Sequence, residues 1–198
     1  MAEPLPRRMR VEEFLAFEGE ADVRYELVDG EIRAMAPAGD RHGWLAGNVG
    51  YVLRRRLAGR GCGVVHEAGV RIDDHNFFVA DLVVQCTPPS GRPFVEAPRL
   101  VVEILSPSTR QHDRDVKLDA YRALSPVEEI WLVDSERRRV QQWIREGPRD
   151  WHVRDVIGTG TFDSPVLAAT VSLDELYEGI AFAEETEADG SGAADGDA

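Results

Sequence analysis

Two apolar stretches each carry one acid near the centre. "FFVADLVVQC" places Asp81 among valines, alanine and leucine, and "LVVEILS" places Glu103 between Val102 and Ile104. Both stretches read as strands covered on both faces, because neither shows a polar side. Side chains alternate across a strand. Val102 and Ile104 therefore share one face, with Val101, Glu103 and Leu105 on the other. By the same rule Asp81 goes with Val79 and Val83, opposite Ala80, Leu82 and Val84. A carboxylate so placed costs several kcal/mol, an order-of-magnitude figure, unless something pairs with it. An arginine could neutralise either acid alone. Two acids in matching contexts favour a shared cation if the strands are neighbours. A hard divalent ion with oxygen ligands, Mg²⁺ or in its place Mn²⁺, fits Asp81 and Glu103.

Lys and Arg together number 23, and Lys117 is the sole lysine. Arginine's broad fork is a poor substitute where a compact ammonium must face one oxygen. Asp113, Lys117 and Tyr121 recur at intervals of four and share one helical face. The preceding "SPST" turn can bring that face back towards Glu103. The same lysine on a solvated face would carry no meaning. Glu26, in "YELVDGE", taken alone reads as an exposed strand residue. His42 opens a long helix and could reach a phosphate or simply serve the helix start. His66, His75, His112 and His152 have no metal-ligand spacing and are assigned no role. For a polyanion the candidate cations are Arg110 and Arg114 near the site and Arg54, Arg55 and Arg56 at a helix end. Arg137, Arg138 and Arg139 read as a solvated hairpin turn.

The elements that must position these residues alternate. "VEEFLAF" is a short helix. "RYELVDGEIRAMAP" is a hairpin turning at Asp29-Gly30. "DRHGWLAGNVGYVLRRRLAGRG" is a helix with Trp44, Leu45, Val49, Val52, Leu53 and Leu57 at helical intervals, ended by Gly59 or Gly61. "CGVVHEAGVRI" gives a strand or two before the Asp81 strand, and a Pro-rich loop leads to the Glu103 strand. The "DRDVKLDAYRAL" helix follows. Next come the hairpin "EEIWLVDSERRRVQQWIR", the strand "WHVRDVI", and the helix "SLDELYEGI" with a Ser172/Glu175 capping box. No repeat is visible. The pattern is a mixed α/β domain with a central sheet flanked by helices.

With 198 residues, 43% hydrophobic and 30% charged, the chain suits a single domain with a sizeable core. Residues 1–183 are assigned to it, and the tail from Glu184, with six acids and no base, to disorder. The net charge of −13 falls to −7 without that tail, which argues against a simple cationic nucleic-acid binder. No apolar run approaches membrane-spanning length, and no secretory signal is read at the start. The expectation is a cytoplasmic protein with no membrane partner. Cys62 and Cys86 are expected to be reduced, mostly buried thiols.

The series "YELVDGEI", "HG", "VADLVV", "PRLVVEILSPST", "DVKLDAY" and "EEIWLVD", spanning about Val11 to Arg145, resembles the Uma-two family, a restriction-endonuclease branch of the PD-(D/E)XK nuclease superfamily. The resemblance implies a restriction-endonuclease-like core and Mg²⁺-dependent hydrolysis of DNA phosphodiesters. It also implies catalytic roles for Asp81, Glu103, Lys117 and Glu26. Asp81 and Glu103 would hold the metal, with the Ile104 carbonyl as a candidate third ligand, and Lys117 would orient the attacking water or offset charge on the phosphate. Glu26 would hold the metal through water or act as a base. His42, Arg110, Arg114 and Tyr121 would meet substrate, with Tyr121 packed under or hydrogen-bonded to the site. Two features depart from the superfamily. Its lysine usually stands two residues after the Glu, where this chain has Leu105, and proline usually precedes the Asp, where it has Ala80. A homodimer would let two sites cut two strands. The residues also leave open a non-catalytic interaction protein on the same fold and a metal-dependent hydrolase of another phosphate ester.

Overall fold

The two acid-bearing strands are neighbours. β4 (Phe77–Gln85) and β5 (Pro98–Leu105) pair antiparallel, with Leu82, Val83 and Val84 opposite Val102, Val101 and Leu100. In the computed structural model, which describes residues 8–107 and 109–182, they lie inside an eight-stranded mixed sheet. The acidic tail from Glu184 falls outside the described residues. The order of the sheet is β2 (Glu31–Ala34), β1 (Tyr25–Val28), β4, β5, β6 (Glu129–Asp134), β7 (Arg139–Arg145) and β8 (Trp151–Ile157), with β3 (Gly63–Arg71) also on β4. Among the described residues, only β5 and β6 pair in parallel. Their connection carries a helical run: α3 (Arg110–His112), a π-helical turn (Asp113–Lys117) and α4 (Leu118–Ala123). π-turns are uncommon and recur at functional sites.

One side of the sheet packs on α2 (Asp40–Leu57), whose Leu45, Val49, Val52, Leu53 and Leu57 are buried with Leu100, Val102 and Ile104 of β5. The other side packs Val101 and Leu105 on Leu118 and Tyr121 of α4. The alternation expected for β5 therefore holds. That expected for β4 does not. Phe78, Ala80 and Val83 join the α4 side, and Leu82 and Val84 the α2 side, so the alternation slips beside Asp81.

The reason lies in the edges of β4. At Phe77 it pairs with β1 on one edge and β3 on the other; from Leu82 onward the first edge belongs to β5. Between Phe77 and Leu82 that edge has no ladder partner, and on the other edge the β3 register skips the Glu67/Asp81 position, so the pleat can slip there. Buried backbone groups still need partners, and the gap is where the candidate residues converge.

The Asp29-Gly30 turn has positive φ at both positions, 54° and 80°, as the tightest hairpin turns require. The early segment forms α1 (Val11–Leu15), whose Val11 and Phe14 pack on Leu27 and Phe77. The Ser172/Glu175 box starts α5 (Leu173–Leu176) as expected, with the Asp174 N–H donating to Ser172 Oγ at 3.1 Å.

Three expectations need correction. Two strands, β9 (Thr161–Ser164) and β10 (Ala169–Ser172), form a small separate sheet where none was read, each being four residues and too short for a legible period. Trp44 was placed among the apolar positions of α2, yet it is 59% exposed, its indole N–H donating to the Glu178 carbonyl at 3.0 Å. Cys62 and Cys86 are neither free nor fully buried. They form a disulfide, because the register that puts Gly63 opposite Gln85 also puts these two flanking residues side by side. Among the described residues, no helix is long and apolar enough to cross a membrane.

Candidate active site

Side chains close the gap in the β4 edge. The Val79 N–H donates to Glu26 Oε1 at 2.9 Å, and the Val79 carbonyl accepts from Lys117 Nζ at 2.9 Å. The Ile104 N–H, which a continued β4–β5 ladder would use, donates instead to Asp81 Oδ2 at 2.6 Å. Three of the candidate residues thus stand in for absent strand partners.

Lys117 arrives from the π-turn and is the hub. Its ammonium lies 2.8 Å from Glu26 Oε1, 3.4 Å from Glu103 Oε1 and 3.6 Å from Asp113 Oδ1. At 3% exposure it is no solvated helix residue. Burial disfavours its charge, but Glu103, Glu26 and Asp113 outweigh burial and push its pKa above the ordinary lysine value, so it stays cationic. Tyr121 is wholly buried beneath, and its hydroxyl donates to Glu103 Oε1 at 2.6 Å. Glu103 Oε2 accepts no hydrogen bond from the described residues.

The carboxylates have been pushed apart. Burial, reinforced by Asp81 and Asp113, drives Glu103 well above the usual carboxylate range despite Lys117. Burial likewise raises Asp113. Burial acts the same way on Glu26, but His112 and Lys117 overcome it and hold Glu26 low. His112 Nε2 stands 3.5 Å from Glu26 Oε2, a long contact. From the opposite side, α2 sends His42 to Asp81, Nε2 to Oδ1 at 3.2 Å. That hydrogen bond raises His42 above its ordinary pKa against the pull of burial.

Asp81, Glu103, Lys117, Asp113 and His42 line one cavity of about 420 Å³, with Arg24 and Arg41 also on its wall. Glu26 and Tyr121 do not line it; they stand behind Lys117 and Glu103. Tyr121 lies under the site, hydrogen-bonded to Glu103, and not on the cavity wall. Arg110 and Arg114 are also absent from the wall. Arg110 is clamped on Asp134 at 2.8 and 3.0 Å.

Sequence reasoning missed Arg24, Arg41 and His112, and met Asp113 only as a helix neighbour. Arg24 carried no signal, being one arginine of many. It pairs with Glu67, a non-glycine residue held at φ 48° in β3. That backbone conformation is unfavourable for glutamate and tends to mark functional neighbourhoods.

Comparison with known proteins adds the family. The model of the Uma2 family, described as "Putative restriction endonuclease", matches residues 11–174. The chain belongs to the Uma2 family. Two relatives come from Synechocystis sp. One, the uncharacterized protein slr1290, is 26% identical over 183 residues, covering 90% of this chain and 96% of its own. The other, the uncharacterized protein sll1609, is 27% identical over 152 residues, covering 74% and 86%. A crystal structure described as a putative nuclease belonging to DUF820, from Anabaena variabilis, superimposes with a TM-score of 0.69. It shares 19% identity and covers 85% of this chain and 97% of its own. That likeness carries the fold: for this Uma2 member, a large mixed sheet flanked by helices.

Proposed function

We propose that this Uma2 protein is a Mg²⁺-dependent endonuclease that hydrolyses DNA phosphodiesters at the cavity holding Asp81, Glu103 and Lys117. The observation that carries the reading is the convergence in one cavity of an acid from each of two neighbouring strands and a buried, permanently charged lysine.

The donor set fits the ion. Among the described residues, no three His, Cys, Asp or Glu side chains are grouped so as to hold a metal ion by themselves. Mg²⁺ does not need such a grouping, since it is commonly held by one or two carboxylates with waters and substrate phosphates. Glu103 has an oxygen that accepts no hydrogen bond from the described residues, and its charge is poorly compensated where it is buried. Asp81 and Glu103 would hold the ion. When bound, Mg²⁺ polarises a phosphodiester and acidifies a water.

The remaining work belongs to the chain. Lys117, fixed by Glu26 and the Val79 carbonyl, presents a constant positive charge to a phosphate entering above Glu103. It is too strongly held as an ammonium to act as a base. Glu26 positions Lys117, and Tyr121 orients the Glu103 carboxylate. His42, hydrogen-bonded to Asp81 on the cavity wall, is placed to meet a phosphate oxygen. Leu105, where the superfamily lysine usually stands, is buried in the core, and Lys117 supplies the charge from the following helix instead.

The test is nicking of supercoiled plasmid and cleavage of single-stranded DNA with Mg²⁺ or Mn²⁺, beside Asp81→Ala. Metal-dependent cleavage that Asp81→Ala abolishes supports the reading; equal activity in both proteins sinks it.

A further inference from the structure

Past Glu136 the acidic cavity meets a second cleft of about 520 Å³, lined by Arg41, Arg137, Arg138 and Arg139. Arg41 and Glu136 line both, so the two adjoin. The cleft arginines are aimed by acids. Arg41 lies 3.2 Å from Glu136, Arg137 Nε lies 3.2 Å from Asp134, Arg138 pairs with Asp174, and Arg139 Nε lies 2.7 Å from Asp155. They are thus anchored rather than loosely solvated, as the hairpin turn was first read.

Aiming is not neutralising. Arg137 shares Asp134 with Arg110. Behind them Arg114 makes no ion pair with any described residue, and its buried Nε has no hydrogen-bond partner. Burial and the nearby charges of Arg139, Arg110 and Arg137 make its cation unfavourable. Six guanidiniums therefore meet four carboxylates on this face, in a chain of net charge −13. An anchored guanidinium keeps further N–H groups in a fixed plane, the geometry that suits phosphate oxygens. The helix-end arginines are a poorer candidate. Arg56 is taken by Glu175 at 2.8 and 3.0 Å. Arg54 and Arg55 lie roughly 20 Å along α2 from His42 at 1.5 Å per residue.

We propose that this arginine cleft binds the backbone phosphates of the nucleotides flanking the scissile one, so that the substrate is a polynucleotide strand and not a small phosphate ester. The inference rests on the nuclease reading and adds to it the surface that holds the strand.

Its test is binding of a fluorescent DNA duplex to the full chain by anisotropy, without divalent metal, across a salt series. Each phosphate contact contributes about −0.9 to the slope of log K against log salt on duplex DNA. The Arg41→Ala/Arg137→Ala double variant is expected to bind at least 10-fold more weakly, with a slope shallower by about 2. Arg54→Ala/Arg55→Ala is expected to keep the wild-type slope. Should the first double variant not fold, Arg137→Gln alone reads the same effect at about half the slope change. Arg137 is 52% exposed, and Arg110 still holds Asp134 without it. A wild-type slope in the cleft variants, a loss confined to the helix-end variant, or no DNA binding by the wild type would each overturn the cleft. Plasmid cleavage is scored separately. Cleavage with an unchanged slope in the cleft variants keeps the nuclease reading and removes the cleft, whereas salt-sensitive binding through the cleft without cleavage does the reverse.

Discussion

Lys117 Nζ lies 2.8 Å from Glu26 Oε1, and both side chains are almost sealed from solvent. The pair fixes which of two roles the lysine can fill. An ammonium held by Glu26, Glu103, Asp113 and a carbonyl stabilises charge; it does not give up a proton.

Replacing Lys117 by arginine should be costly in two ways. The larger head group must enter a filled pocket, an overpacking penalty of about 1–3 kcal/mol. Its delocalised charge also cannot keep the ammonium's contacts, and the hydrolytic rate should fall by roughly 10²-fold or more. Urea unfolding and turnover measured together check both, and wild-type turnover would remove the lysine from the reaction.

Glu26→Gln separates positioning from metal binding. Its amide oxygen can still accept from the Val79 N–H, but Lys117 loses its nearest counter-charge. Turnover should drop by roughly 10-fold, the low end for losing a partner that supports a metal site, with Mg²⁺ affinity by calorimetry unchanged. Glu103→Gln should lose both. Loss of Mg²⁺ binding in Glu26→Gln would make Glu26 a ligand.

His42 should titrate above its ordinary 6.5 in the metal-free protein. The sign follows from the folded pKa being the higher one. The stabilisation from His42 is fully present below pH 6.5 and is lost as pH rises through the raised folded value. In Asp81→Asn the raising contact is gone and burial remains, so the imidazole should titrate lower than in the wild type. NMR of the ring protons reads both; identical titrations would show that Asp81 does not govern His42.

Glu129 provides a structural control. Buried in β6, it accepts from Trp131 Nε1, Gln142 Nε2, Ser164 Oγ and the Val166 N–H, tying the small β9–β10 sheet to the large one. Glu129→Ala strands these donors, and at roughly 1–3 kcal/mol for an unsatisfied buried group it should cost about 3 kcal/mol or more. Chemical denaturation checks this, and a change under 1 kcal/mol, roughly one net hydrogen bond, would contradict the packing described.

The Cys62–Cys86 bond joins residues 24 apart in sequence. Closing a loop of that size is worth about 3 kcal/mol. Denatured, unreduced protein should show no free thiol, and reduction should lower the melting temperature. Two titratable thiols in the unreduced protein would rule the bond out.

Asp81, Glu103 and Lys117 were legible for one reason: each breaks a pattern, an acid in an apolar run or a lysine in an arginine-only chain. Glu26, His112 and Arg24 break none. Glu26 and His112 are placed by the gap in the β4 edge, which depends on where β1 ends and β5 begins against β4, and Arg24 by its pairing with Glu67 of β3, all pairings of segments far apart in sequence. The slip at Asp81 was hidden for the same reason, since strict alternation presumes an unbroken ladder. Cys62 and Cys86 became partners only through the β3–β4 register. Local signals, by contrast, served well: the Asp29-Gly30 turn, the Ser172 cap and the apolar stripe of α2 all depend on neighbours in the chain.

The gap also makes two amides into reporters. An N–H paired within the ladder is shielded by another strand and exchanges with solvent only when strands part. The Val79 and Ile104 N–H groups are shielded by Glu26 and Asp81 carboxylates instead. A side chain swings away far more readily than a strand unzips. Their deuterium uptake should therefore follow the ionisation and occupancy of the acids rather than the unfolding of the sheet. At these two positions hydrogen exchange would record the state of the site, residue by residue, without any substrate being turned over.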